Sequence, residues 1–251
     1  GLRLISEFPE FKGLPVIVGE FDPEGCAACS SEYTPQYNYR NGTMYSSTVA
    51  DSYARLYELA RKYDANLVGA VTWAFEFEDQ PWFAGFRDLS TNGVVKPVLN
   101  VFRMFGQMGG ELVEASSTGM IPVDSIVNKS VRDMPDVGVL ASRDDKKASV
   151  LLWNYHDVND TDVAPADIDV KVNVGKDTKR VLVTRYCIDD SHSNSYSKWV
   201  AMGCPQNPDD TQLRELQRAG DLEMSGSPEW KTVDRGIVND RVVLPRHCLL
   251  Y

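Results

Sequence analysis

An α/β segment followed by an all-β segment is the fold class this sequence predicts, and three observations carry it. Two short apolar runs, residues 14–19 and 66–73, each end in polar and aromatic residues. Each is followed by a stretch with apolar residues at spacings of three and four. After about residue 110 the pattern changes to short β-rich runs punctuated by Asp, Asn, Gly and Pro. Strand, loop and helix, twice over, is the beat of an α/β unit with parallel strands, whereas short, turn-separated strands predict an antiparallel β-sandwich. The expected division is therefore residues 1–110 and residues 111–251.

The first run, Leu14-Pro-Val-Ile-Val-Gly19, is almost continuously apolar. That predicts a parallel strand buried on both faces. A helix is expected over residues 46–63, with Val49, Tyr53, Leu56, Tyr57 and Ala60 on one face and Ser46, Ser47 or Thr48 as its cap. The second run, Asn66-Leu-Val-Gly-Ala-Val-Thr-Trp73, repeats the buried-strand pattern. A second helix begins after Lys96-Pro97, buries Val98, Val101, Phe102 and Phe105, and closes at Gly109-Gly110. Strands are then expected at residues 137–141, 148–153, 168–174 and 180–186. The third of these alternates apolar and polar strictly, so one of its faces meets water. Residues 192–196 read as a polar loop, and residues 211–218 as a helix.

With 251 residues and 43% hydrophobic content the chain can build a sizeable core. Its net charge of −10 repels phosphate backbones and anionic lipid, which argues against nucleic acid and membrane surfaces as partners. No apolar run approaches the roughly 20 residues that span a bilayer. A neutral sugar fits such a surface. Five cysteines, an odd number at scattered positions, fit the reduced thiols of a cytoplasmic protein rather than a disulfide framework. Cys26-Ala-Ala-Cys29 lacks the second pair that a zinc site would want, and reads as an ordinary loop.

Two strand ends carry groups with chemistry in them. Glu20 follows the first strand directly, where barrel enzymes place catalytic carboxylates, although loop carboxylates also serve as caps and ion pairs. Trp73, Phe75, Glu76, Glu78 and Asp79 follow the second. Aromatic faces stack on the C–H surfaces of sugars, and carboxylates accept bonds from vicinal hydroxyls. The same residues read equally as core aromatics with a solvated acidic rim. Hydrolysis of a glycoside requires two carboxyl groups, a nucleophile and a proton donor, and needs no metal or organic cofactor.

These residues resemble glycoside hydrolase family 39, the β-xylosidase and α-L-iduronidase family. Val16-Ile-Val-Gly-Glu-Phe21 is similar to the family's nucleophile strand, with Glu20 at the nucleophile position. Tyr33-Thr-Pro35 matches a Tyr-x-Pro that follows it, here after a longer loop that holds both Cys26 and Cys29. Thr72-Trp-Ala-Phe75, with Glu78-Asp79, resembles the eighth barrel strand, about two residues shorter and with Asp79 where the xylosidases usually have Glu. The stretch Arg185-Tyr-Cys-Ile-Asp-Asp-Ser-His-Ser-Asn-Ser-Tyr196, with Trp199, Met202-Gly203 and Pro205-Gln-Asn-Pro208, is similar to the accessory β-sandwich.

The resemblance implies the C-terminal part of a (β/α)8 barrel followed by a β-sandwich. It implies Glu20 as nucleophile and Tyr33, Trp73, Phe75, Glu78 and Asp79 as residues of the sugar site. The family's acid/base is a Glu directly after an Asn, and no Asn-Glu pair occurs in this sequence. The expectation is a nucleophile-bearing fragment of a retaining exo-β-xylosidase that acts on xylo-oligosaccharides, needs the N-terminal half of the barrel and self-associates. The rival expectations are a non-catalytic carbohydrate-binding protein and a cysteine-based redox or metal module.

Overall fold

The computed structural model describes residues 1–159 and 162–251. Its elements run α1 (Leu2–Ser6), β1 (Val16–Val18), α2 (Thr43–Lys62), β2 (Leu67–Ala70), β3 (Ser90–Thr91), β4 (Val94–Val95), α3 (Pro97–Gln107), β5 (Glu111–Val113) and α4 (Val123–Lys129). There follow β6 (Asp136–Arg143), β7 (Ala148–Tyr155), β8 (Ala166–Asn173), β9 (Arg180–Val183) and β10 (Tyr186–Ile188). The chain closes with α5 (Ser195–Ala201), α6 (Asp210–Gly220), β11 (Glu223–Met224), β12 (Glu229–Thr232), β13 (Ile237–Leu244) and β14 (Leu249–Leu250). The α/β part and the antiparallel β part that the sequence predicts are both present. No described helix is long and apolar enough to cross a membrane.

β1 and β2 are parallel neighbours, as their apolar runs predict. Burial on both faces does not follow. Val16, Val18, Leu67 and Ala70 pack on Leu56 and Ala60 of α2, but Ile17 and Val68 on the opposite face are 65% and 61% exposed. Strand side chains alternate faces, so α2 shields only every second residue. The helix itself begins at Thr43 behind Gly42, earlier than expected. Ser47 and Thr48 do not cap it; their hydroxyls donate to the Met44 carbonyl inside the first turns, at 3.0 and 2.8 Å. α3 starts at Pro97, whose missing N–H costs nothing in the first turn.

The larger sheet has the order β11-β10-β14-β7-β6-β5, all neighbours antiparallel. One face, with Leu151 and Trp153, packs on Tyr45, Val49, Ala50 and Ala54 of α2 and on Val98, Val101 and Met104 of α3. The core is therefore continuous across residue 110. The other face, with Leu152, Val139 and Val150, packs on Ile168, Val170, Val242 and Leu244 of the β8–β13 ribbon. β8 alternates half-buried and exposed residues along its whole length, as expected. Gly138 is required by a close approach, since a Cβ there would lie 2.1 Å from the Trp153 ring.

Arg55 of α2 bolts the two parts together. Its Nη2 donates to both carboxylate oxygens of buried Asp136 at the head of β6, at 2.8 Å each. Arg55 also reaches Asp51 at 3.3 Å and Glu58 at 2.8 Å. Burial, with Asp136 alongside, holds the Asp51 carboxyl well above the usual range. α6 carries a capping box, Asp209 accepting from Thr211 and Gln212 backbone N–H groups while Gln212 returns a bond to Asp209 N–H. α5 was not expected. It grows from the polar stretch at residues 192–196 because Asn194 caps it by accepting from Ser197 N–H.

His247 pins three segments. Its Nε2 lies 3.1 Å from the Val158 carbonyl, its Nδ1 3.3 Å from Ser47 Oγ, and its N–H donates to Asn154 O at 2.6 Å. Burial, helped by nearby Arg246 and His156, pushes its pKa from 6.5 down to about 4. Between those values the unfolded chain binds a proton that the folded chain does not. Stability should be full above about pH 6.5 and fall as the pH drops toward 4, by up to about 3 kcal/mol from this group. Urea unfolding across that window should show a steeper acid loss in the wild type than in His247→Gln.

Candidate active site

Glu20 sits two residues beyond the end of β1, and backbone pairing carries the ladder past it. Val71 N–H donates to Val18 O at 3.0 Å, and Phe21 N–H donates to Val71 O at 2.9 Å. The backbone on both sides of Glu20 is therefore held, while its side chain is 56% exposed. Arg87 fixes the carboxylate. Its Nη2 donates to Glu20 Oε2, its Nε to Trp73 O at 3.0 Å and its Nη1 to Glu24 O at 3.1 Å. Arg87 is itself buried. Its backbone N–H donates to Ala27 O at 2.8 Å, and its carbonyl accepts from Ala74 N–H at 2.8 Å. One guanidinium thus joins the ends of both parallel strands and the loop between them.

A second buried ion pair lies close by. Asp22 and Arg40 are 3.9 Å apart and essentially without exposure. Asp22 Oδ2 accepts from the Tyr45 hydroxyl. Arg40 Nη1 donates to Cys26 O at 2.8 Å, Nη2 to Glu24 O at 3.4 Å, and its guanidinium lies over the Tyr37 ring at 4.1 Å. Burial raises the Asp22 pKa against the opposing pull of Tyr45 and Arg40. Burial also raises Tyr45 well above the ordinary phenol, with the Asp22 charge adding to the effect. Arg40 and Arg87 converge on the Glu24–Ala27 carbonyls, which anchors the loop beside Glu20.

Cys26 and Cys29 are joined in a disulfide, with their Cα atoms 5.6 Å apart. That corrects the reading of five reduced thiols. A two-residue spacing in a tight loop brings the sulfurs together, within the span a disulfide bridges. Cys187, Cys204 and Cys248 are free. Cysteine usage therefore no longer favours a reducing compartment.

Among the sequence-derived candidates, the structure brings Glu20 and Trp73 together through Arg87. Trp73 and Phe75 both expose half or more of their surface. The Phe75 carbonyl accepts from Leu89 and Ser90 N–H at 3.0 and 3.1 Å, which pins this rim from behind. Glu76 is occupied structurally, its Oε2 accepting from Ser90 Oγ at 2.5 Å and Gly93 N–H at 3.0 Å. Glu78 and Asp79 are exposed next to it, Asp79 with a φ of +52°. Tyr33 stands apart: it is 82% exposed, and its backbone N–H donates to Ser30 O. Sequence reasoning did not find Arg87, Arg40 or Tyr45. An arginine amid Gly85-Phe-Arg-Asp-Leu89 carries no spacing signal that separates a buried clamp from a surface charge.

Comparison with known proteins finds relatives of the chain. A family model described as glycosyl hydrolases family 39 matches residues 3–234. A β-xylosidase of Caldicellulosiruptor saccharolyticus is 24% identical over 164 residues, covering 65% of this chain and 29% of that protein. A monomeric β-xylosidase from Caulobacter crescentus CB15 superposes with a TM-score of 0.68 at 16% identity, covering 99% of this chain and 48% of the other. A bacterial orthologue of human α-L-iduronidase superposes with a TM-score of 0.75 at 17% identity, covering 99% and 43%. These superpositions show a shared fold. The chain spans less than half the length of each of these relatives.

The Asp22–Arg40 pair generates a stability prediction. Asp22→Ala leaves the Arg40 charge buried without its carboxylate, which should cost about 3–5 kcal/mol, as breaking one side of a buried pair does. Tyr45→Phe should cost roughly 1–3 kcal/mol, since it strips one donor from a buried acceptor. Chemical denaturation of the two variants checks the ranking; equal losses would overturn it.

Proposed function

The chain belongs to glycosyl hydrolase family 39, and from that premise we propose that it carries the nucleophile and part of the sugar subsite of a retaining exo-β-xylosidase. The enzyme would release D-xylose from the ends of xylo-oligosaccharides by double displacement. The observation that carries this reading is Glu20, an accessible carboxylate at a parallel strand end, held at one oxygen by buried Arg87 beside Trp73. That clamp leaves the other oxygen to attack.

In the first step a Glu20 oxygen bonds to the anomeric carbon as the glycosidic C–O bond breaks. The departing oxygen takes its electron pair and a proton from a second carboxyl group about 5–5.5 Å away. Water then attacks the same carbon, gives its proton to that second group, and frees Glu20. The acid–base carboxyl is assigned to barrel strands outside these 251 residues. Glu76 does not qualify, because its carboxylate is committed to Ser90 and Gly93. Trp73 offers a ring face to the sugar's C–H surface, Phe75 extends that apolar wall, and Glu78 and Asp79 accept from its hydroxyls. Tyr33 would join them only with the loop turned toward Glu20. The mechanism requires no metal or organic cofactor.

The test uses the natural protein and an aryl β-xyloside. Glu20→Ala should lower kcat/KM on the order of 10⁴-fold or more, as loss of a covalent nucleophile does. Azide should then restore turnover by attacking from the vacated face, and so give a glycosyl azide of inverted configuration. Near wild-type activity in Glu20→Ala would overturn the assignment. Saturable sugar binding without hydrolysis by the wild type would favour a purely carbohydrate-binding role.

A further inference from the structure

Away from Glu20, β10 and the turn that follows bring three metal-binding side chains to one point. Cys187 Sγ lies 3.2 Å from Asp189 Oδ2, and His192 Nδ1 lies 3.0 Å from the same oxygen. All three donor atoms fall within 4.8 Å of one another. A tetrahedral zinc ion with bonds of about 2.3 Å to sulfur and about 2.0–2.2 Å to nitrogen or oxygen sets its ligands roughly 3.3–3.6 Å apart. Small side-chain adjustments would seat the ion. The Cys-x-Asp-x-x-His spacing escapes a search for paired Cys-x-x-Cys motifs.

Backbone pairing and turn bonds hold the three residues, whose side chains also hydrogen-bond one another through Asp189. Cys187 is paired on both sides, opposite Glu223 of β11 and Leu250 of β14. Asp189 Oδ1 accepts from Ser191 and His192 N–H at 2.8 and 2.7 Å; His192 Nδ1 lies 3.0 Å from both carboxylate oxygens, and Oδ2 also faces Cys187. Ser193 Oγ donates to Cys187 O at 2.7 Å, and Asn194 Nδ2 to Asp189 O at 2.9 Å. Such outer bonds orient metal ligands and hold them in place. Cys187 is buried, whereas Asp189 and His192 are half-buried, so the sulfur is protected and the ion has a way in.

We propose that Cys187, Asp189 and His192 bind one zinc ion, with solvent as the fourth ligand. A thiolate with an imidazole selects zinc over magnesium or calcium, which want oxygen cages. On binding, the thiol proton leaves to solvent, neutral imidazole binds through Nδ1, and Asp189 binds ionised. No electrons are transferred. The ion would tie β10 to the turn that launches α5.

The test uses the natural protein carrying Cys204→Ser, which removes the exposed thiol. After incubation with zinc chloride and gel filtration, elemental analysis should find one equivalent of zinc, not displaced by excess magnesium. His192→Gln and Cys187→Ser should each lose it. Cobalt in place of zinc should give a thiolate-to-metal absorption that disappears in Cys187→Ser. His192→Gln alters a half-exposed side chain and leaves the Asp189 backbone bonds intact, so it decides the matter if Cys187→Ser fails to fold. No retained zinc in the parent, or equal retention in His192→Gln, would overturn the proposal.

Discussion

Two parallel strands of three and four residues fix the backbone around Glu20 but not its side chain, and Arg87 makes up the deficit. Its guanidinium offers donors in a rigid plane, and they are spent on Glu20, the Trp73 carbonyl and the Glu24 carbonyl. Removing such an arginine would leave carbonyls without partners as well as a carboxylate without its cation. The position of the Glu20 carboxylate is thus set by a buried residue outside the strands that end beside it.

The same device recurs at the junction of the two parts. Arg55 and Asp136 lie deep in the protein, where burying charge is costly unless each is paired and hydrogen-bonded. Here Asp136 also accepts from Ile121 N–H at 2.5 Å and Trp153 Nε1 at 3.4 Å, so its oxygens are well used. The apolar contribution comes from Val49, Ala54, Met104, Leu151 and Trp153, which form one core across residue 110. Fully burying a Val, Leu or Met side chain contributes about 1.5–3 kcal/mol. The ion pair adds direction to that cohesion, because only one register of α2 on β6 aligns Arg55 with Asp136.

How much of this was legible in the sequence depends on whether a local pattern carried it. The alternation at Ile168–Asp169–Val170–Lys171 announces β8, and Pro97 announces the start of α3. The place of Glu20 just past a strand was legible because an apolar run ends beside it. α5 was not, since Ser, Asn and Tyr read as loop residues until Asn194 is seen to cap. Arg87, Arg40 and Tyr45 were invisible for a deeper reason. Their roles depend on partners 14 to 67 positions away, and no short window contains both ends of such a contact. The disulfide escaped because five scattered cysteines carry no pairing rule, although only two residues separate Cys26 from Cys29.

The contrast between β1 and β8 bears on the proposed barrel. β8 presents Asp167, Asp169, Lys171 and Asn173 to water, as a strand with one wet face should. β1 and β2 present Ile17 and Val68 instead, with exposed Val71 just past β2, and these residues lead up to Glu20 and Trp73. A strand apolar on both faces suits a setting where helices cover one side and packed side chains fill the other, as in the interior of a (β/α)8 barrel. Within one chain the two kinds of strand obey different rules, so the exposed apolar row cannot be put down to a tolerant composition. In the proposed enzyme it forms part of the barrel's filled interior, and the filling fixes the floor beneath Glu20 while Arg87 fixes its side.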